Sequence, residues 1–225
     1  MNKEILDVLI NQLPFALWET LYATLLSALF AVIIGLPLGV LLVAGEKNSI
    51  MPLPTWLMKL INFIINILRS IPFLIVVIVV FPLTRLILGT TVGTMASVVP
   101  LVVAAFPFIA RLVESSLREV NPNLIEMAKS MGASPIQIIV KVLLKESVPS
   151  LINNITIAIT TILGYTAMSG IVGGGGLGKI AINYGYYRYN YPVMILAVIT
   201  LVIIVQIIQK IGISISVKSD KRLKS

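Results

Sequence analysis

The nearest approach to a catalytic signature in these 225 residues is Gly173 to Lys179, GGGGLGK. It has the G-x-x-x-x-G-K spacing that wraps backbone amides around nucleotide phosphates. The hydroxyl residue that would hold magnesium is replaced by Ile180, and no buried strand leads into the turn. Glycine at this density suits a flexible turn at which two backbones approach each other. Histidine and cysteine are absent, which excludes disulfides, thiolate nucleophiles and the usual zinc sets. The nine acids are Glu4, Asp7, Glu19, Glu46, Glu114, Glu119, Glu126, Glu146 and Asp220. All stand at or beyond the ends of long apolar runs. None forms the carboxylate set that a membrane enzyme or an ion-coupled carrier needs within its spans. No catalytic residue and no metal ligand is assigned.

Two other constellations suit the passage of a solute. Between 150 and 172, Asn153, Thr156, Thr160, Gly164 and Met168 recur at spacings of 3, 4, 4 and 4, which puts them on one helical face. Such a stripe either glues helices together or lines a path, with Met168 as a flexible plug. The second is Arg69-Ser70-Ile71-Pro72. Pro72 removes a backbone hydrogen bond, so a helix breaks or tilts there. Arg69 either snorkels to the headgroups or lines or latches the path.

The elements that must position these residues are membrane helices. Only 12% of the chain is charged and 58% is hydrophobic, more apolar surface than a soluble domain of this size hides. Uncharged runs cover 20–45, 86–110, 147–178 and 189–209, and 60–84 is interrupted only by Arg69. Each reaches the ~20 residues that cross a bilayer. The expected fold is all-α and polytopic, with five transmembrane helices in one domain, 1–225. The first run is too long for a signal-peptide core and lacks a small-x-small cleavage site, so no secretory signal is expected.

Lys and Arg in the short loops set the orientation. With the C-terminus inside, twelve fall on the cytoplasmic side: Lys47, Lys59, Arg111, Arg118, Lys129, Lys141, Lys145, Lys210, Lys218, Lys221, Arg222 and Lys224. Four fall outside: Lys3, Arg85, Lys179 and Arg188. The N-terminus is therefore expected outside, with residues 1–19 as a short interfacial helix and Trp18 and Tyr22 at the boundary. Tyr184, Tyr186, Tyr187, Tyr189 and Tyr191 form an outer aromatic belt. The net charge of +8 reflects topology and attraction to anionic lipid rather than nucleic-acid binding. Arg111, Glu114, Arg118 and Glu119 read as a solvated helix end at the inner face. Gly35, Pro37 and Gly39 mark either a close helix contact or a kink in the first span.

Residues 121–149, NPNLIEMAKSMGASPIQIIVKVLLKESVP, lie inside on this topology. Asn121 is a good N-cap, Pro122 suits the first helical position, and Gly132 stands where a left-handed glycine ends a helix. Ser134-Pro135 starts a second helix at once. A helix of roughly 10 residues, about 15 Å long, must dock on something to persist.

Glu126-Met127-Ala128, three residues, Gly132 and then Val142-Leu143-Leu144 resembles the EAA loop of binding-protein-dependent ABC importer permeases. Met127 replaces the middle alanine of that motif and Lys145 its proline, with Pro149 soon after. From Gln12 to Ser214 the chain is similar to the permease of methionine-type importers. The fragments that carry the likeness are Arg69 to Phe73, Gly164 to Met168, and 173–190.

The resemblance implies the permease subunit of an ATP-driven importer in a bacterial inner or plasma membrane. It would move an amino acid such as D- or L-methionine by alternating access between two copies of the chain. It implies a coupling helix, with Leu124, Glu126, Ala128, Met131 and Gly132, seated on a cytoplasmic ATPase present in two copies. Ala128 would permit close approach, Glu126 would pair or cap, and Gly132 would reverse the chain. ATP and Mg would sit on that ATPase, with no cofactor in this chain. An external binding protein or lipoprotein would deliver the substrate, and membrane lipid would surround the subunit. The alternative is an ion-coupled carrier or channel without an ATPase.

Overall fold

The structure, a computed structural model, describes residues 8–220, and among them every regular element is helical. Lys3, Glu4, Asp7, Lys221, Arg222 and Lys224, and the start of the expected interfacial helix, lie outside the described residues. Val8–Gln12 winds as a π-turn and runs directly into α1, Leu13–Ala44. After the turn at 45–54 come α2, Thr55–Ser70, and α3, Phe73–Leu88. Then follow α4, Thr94–Arg118, and the short α5, Pro122–Ser130. A helical arm, Pro135–Gln137, Ile138–Leu143 and Leu144–Glu146, carries a π-wound centre. It leads to α6, Val148–Ser169, then the short α7, Gly176–Ile180, and α8, Tyr191–Ser219.

Four stretches are long and apolar enough to cross a bilayer: Ile10–Ala44, Thr94–Arg118, Val148–Val172 and Tyr191–Ser219. The pair α2 and α3, sharply bent at Ser70–Pro72, makes a fifth when taken together. The expected break is therefore present.

Two boundaries differ from the expected spans. The third span starts at Thr94, because Gly89 closes α3 at φ 74 with its N–H on Arg85 O, and Gly93 turns at φ 106. The fourth span falls at Val148–Val172, in agreement with the expected 150–172. α6 stops at Ser169, and Gly173 reverses the chain at φ 92. The last span continues past Lys210 to Ser219, because nothing there stops a helix and its end is held. Ser216 Oγ donates to Pro149 O at 2.7 Å.

By its contacts the chain forms two compact units. The first comprises the described part of Met1–Phe30 with Ile71–Ala105 and Ile159–Gln209. Its core gathers Ala16, Leu163, Leu177, Ile180, Val193, Ala197 and Ile204. The second comprises Ala31–Ser70, Phe106–Ala158 and the described part of Lys210–Ser225, around Leu42, Met58, Ile65 and Ala110. In the second unit the small residues of α1 serve contact. A Cβ on Gly35 would lie 2.8 Å from the Ile109 side chain, and one on Gly39 would lie 2.5 Å from Val113. Close backbone approach of this kind gives membrane helices their dispersion contacts, since lipid supplies little hydrophobic drive.

Candidate functional site

The loop in the second unit is built by local chemistry. Asn121 Oδ1 accepts from Asn123 N at 3.0 Å and Pro122 opens α5, so the first turn is capped as its sequence requires. At the other end Gly132, at φ 76, donates to Lys129 O, and Ala133 donates to Ala128 O. These two bonds are a Schellman stop, which satisfies carbonyls that the helix leaves open. Ser134 and Gln137 then form a reciprocal capping box that starts the arm. The bend is thus fixed by backbone and cap bonds within about a dozen residues, rather than by distant packing.

α5 is presented with one face inward and one face out. Ala128 is buried and Leu124 half-buried, while α5 packs against the π-wound part of the arm. The close approach that Ala128 permits is therefore to this chain itself. Glu126 is exposed, and the outward apolar surface is Met127, 57% exposed, Met131, 79%, and Ile136, 70%. Lys129 Nζ reaches Ser49 O at 3.3 Å, tying α5 to the turn after α1.

The charged end of α4 is solvated only in part: Arg118 and Glu119 are exposed, while Arg111 and Glu114 are largely covered. Arg111 donates to Glu114 at 2.6 Å, to Asn62 Oδ1 at 2.8 Å and to Asn66 Oδ1 at 2.9 Å. Arg118 donates to Glu46 at 2.6 Å and to Glu114 at 2.8 Å. The side chains of Arg111 and Glu114 are only 20% and 12% exposed. This network clamps α2 and the turn after α1 onto α4, because a planar guanidinium can serve several acceptors at once. Sequence spacing showed the pairs within α4. It could not show Asn62, Asn66 or Glu46, which meet their arginines only through the fold.

The polar stripe of α6 divides. In the second unit, Asn153 is exposed and lines a polar cavity of about 340 Å³ with Glu119, Glu146 and Ser150. Thr156 is buried, its hydroxyl on Ile152 O and its side chain against Gly212 of α8. Thr156 is therefore packing, at the edge of the expected face, and does not line an open surface of this chain. In the first unit Thr160 is half-buried, and Gly164 and Met168 are exposed. A Cβ on Gly164 would meet no atom within 4 Å. Beside it, Tyr165 stacks on Phe73 with ring centroids 4.7 Å apart. Phe73 opens α3 directly after Pro72, which serves as its N-cap residue. Arg69 and Ser70 are exposed at the end of α2, and Ser70 Oγ donates to Asn66 O.

The glycine turn is buried rather than flexible. Gly174 to Gly178 are all enclosed. A Cβ on Gly175 would overlap Thr94, and one on Gly178 would overlap the Ala167 backbone. The N–H of Gly176 donates to Glu19 Oε2 at 2.8 Å, and that of Leu177 to Thr20 Oγ1 at 2.9 Å. Glu19 Oε1 accepts from Thr94 Oγ1 at 2.5 Å. Amides that would hold phosphate in a nucleotide loop are spent on this chain's own carboxylate and hydroxyl. Glu19, Thr20 and Thr94 are structural residues that sequence reading missed, since nothing local connects Glu19 with a turn 157 residues away.

Residues 35–223 match the family described as binding-protein-dependent transport system inner membrane component. The chain is 46% identical over 208 residues to the probable D-methionine transport system permease protein MetI of Vibrio cholerae serotype O1, covering 92% of each chain. It is 48% identical over 153 residues to the D-methionine transport system permease protein MetI of Escherichia coli K12, covering 68% of this chain and 70% of that one. Among solved structures it resembles a chain of the MetNI methionine ABC transporter in inward-facing conformations, with a TM-score of 0.92 at 44% identity. The match covers 98% of this chain and all of that one. It shares its fold with a chain of an amino acid ABC transporter crystallised with histidines, at a TM-score of 0.77 and 16% identity.

Proposed function

Because the chain belongs to the inner membrane components of binding-protein-dependent transport systems, we propose that it is the permease subunit of an ATP-driven methionine importer. The relatives named for D-methionine transport and the likeness to the MetNI transporter support the substrate. The observation that carries the coupling is the capped, sharply stopped α5, which turns Met127 and Met131 outward with no cover from the described chain. A groove on a cytoplasmic ATPase receives this helix, and ATP and Mg act there. Two permease copies pair with two ATPase copies, and an external binding protein delivers the amino acid. The N-terminus lies outside and the C-terminus inside. The whole chain acts as one permease domain, with 121–149 as its coupling loop.

The chain's own part in the mechanism follows from its connections. A displacement of α5 passes through the Schellman stop and the capping box into the arm, since the first is fixed by backbone bonds and the second by reciprocal side chain–backbone bonds. The arm turns at Ser147, whose hydroxyl donates to Leu143 O at 2.8 Å, and continues as α6. α6 carries Gly164 and Met168, which narrow or open the path. The stack of Tyr165 on Phe73 transmits the same motion to the start of α3.

Reconstitution with and without the ATPase tests this. Methionine uptake that requires the ATPase, the binding protein and ATP supports it. Uptake into vesicles lacking ATPase would identify a carrier instead. A cysteine at Tyr187 that reacts with an impermeant thiol reagent in intact cells, with one at Lys218 that does not, is the expected orientation.

A further inference from the structure

A cavity of about 290 Å³ in the first unit opens beside the outer part of α1, lined by Gln12, Phe15, Glu19, Lys179, Asn183 and Tyr184 among others. It carries charges of both signs. The two bonds already on Glu19, from Thr94 and Gly176, occupy half of the roughly four acceptor positions of a carboxylate. Among the described residues, Glu19 has no basic group and Lys179 no acidic group at ion-pair distance. A carboxylate with open acceptor positions beside a cavity gains a charge-assisted bond from a cationic donor that enters it. The cavity therefore suits a ligand that brings an ammonium to Glu19 and an anionic oxygen to Lys179.

Depth and surroundings narrow the ligand class. The uncharged run begins at the residue after Glu19, which puts its carboxylate at headgroup level. Phe15, 65% exposed, belongs both to the cavity wall and to the outer surface, and Trp18 beside it is 63% exposed. Tyr186 and Tyr187 are exposed on the segment that follows α7. Aromatic rings of this kind gather where headgroups meet acyl chains. The polar wall is held in advance. Tyr184 OH donates to Gln12 Oε1 at 3.0 Å, and the Arg188 guanidinium lies 4.7 Å over the Tyr184 ring.

We propose that this cavity binds the headgroup of an ethanolamine phospholipid, its ammonium on Glu19 and its phosphate on Lys179, with the acyl chains along Phe15 and Trp18. A choline headgroup has no N–H to donate to Glu19, and a glycerol headgroup brings no cation. A free amino acid carries the same pair of charges without the chains, so the test must separate the two sources.

The test is native mass spectrometry of the full chain in mild detergent, with equimolar dioleoyl phosphatidylethanolamine, phosphatidylcholine and phosphatidylglycerol. The wild type should retain the ethanolamine lipid about five- to tenfold over the others, as expected for one added charge-assisted bond. Glu19→Gln should bring ethanolamine retention down to the choline level. Lys179→Met, at an exposed side chain, should weaken all three lipids, since each carries the phosphate. No preference in the wild type would overturn the proposal, as would phospholipid retention unchanged in Lys179→Met. Displacement of the ethanolamine lipid by millimolar methionine would also overturn it, assigning the cavity to the free amino acid.

Discussion

Phe73 and Tyr165 lie face to face, 2° from parallel, with their ring centroids 4.7 Å apart. Phe73 is the first residue of α3 after the break at Pro72, and Tyr165 sits on α6 between Gly164 and Met168. A single stack thus pins the start of one broken helix to the helix proposed to line the path. Aromatic pairs of this kind contribute about 0.5–1.5 kcal/mol beyond the area they bury. A double-mutant cycle of Phe73→Leu and Tyr165→Leu, read by thermal unfolding in detergent, should give a coupling of about 1 kcal/mol. Uptake should fall in either single variant. Additive unfolding energies would remove the pin.

Gly164 and Gly178 should respond in opposite ways to alanine. At Gly164 the added Cβ meets nothing within 4 Å, and alanine favours a helix by about 1 kcal/mol. Gly164→Ala should therefore fold and melt at least as well as the parent. Any loss of uptake then comes from outside the chain, from a second copy or from the passing solute. Gly178→Ala drives a methyl into the Ala167 backbone and should cost yield and melting temperature outright. Equal stability losses in the two variants would contradict the proposed open face at Gly164.

Arg111 holds three acceptors on two helices, whereas the exposed Arg118–Glu46 pair is 46% exposed on both sides. Arg111→Lys keeps the charge but loses the fork. It should lower stability by about 1–2 kcal/mol and speed hydrogen exchange in α2. Glu46→Gln should change stability by less than about 1 kcal/mol. The reverse order, seen in melting curves of the two variants, would mean that the clamp lies at the exposed pair.

What the sequence made legible was what local chemistry decides. Asn121, Pro122, Gly132 and Ser134-Pro135 each act through bonds to residues within five positions, and each is where its type and spacing put it. The break before Phe73 was legible for the same reason, because Pro72 acts on its own backbone. The face of a helix that another helix covers was not legible. Thr156 belongs to the stripe by spacing, yet Gly212 takes it, and Gly212 lies 56 residues on. Ala128 pointed to a partner by motif and packs inward instead. Glu19 looked like the outer edge of an apolar run, and its role appears only once the fold brings Thr94 and Gly176 to it.

The central claim is that α5 and its stop dock the ATPase, and Gly132 offers the cleanest access to it. Gly132 stands at φ 76, and a Cβ there would meet no atom within 4 Å, so substitution acts through the backbone alone. A non-glycine residue held in that conformation costs on the order of 1–3 kcal/mol, and β-branched residues are the worst placed. The membrane helices do not share this cost, and a helix as short as α5 cannot absorb it. The decisive measurement is co-purification of the ATPase with Gly132→Val and Gly132→Ala in detergent, alongside methionine uptake. Gly132→Val should insert normally and melt close to the parent, yet lose most of the ATPase and most of the uptake, with Gly132→Ala in between. Full ATPase retention and normal uptake in Gly132→Val would contradict the assignment of this loop as the coupling element.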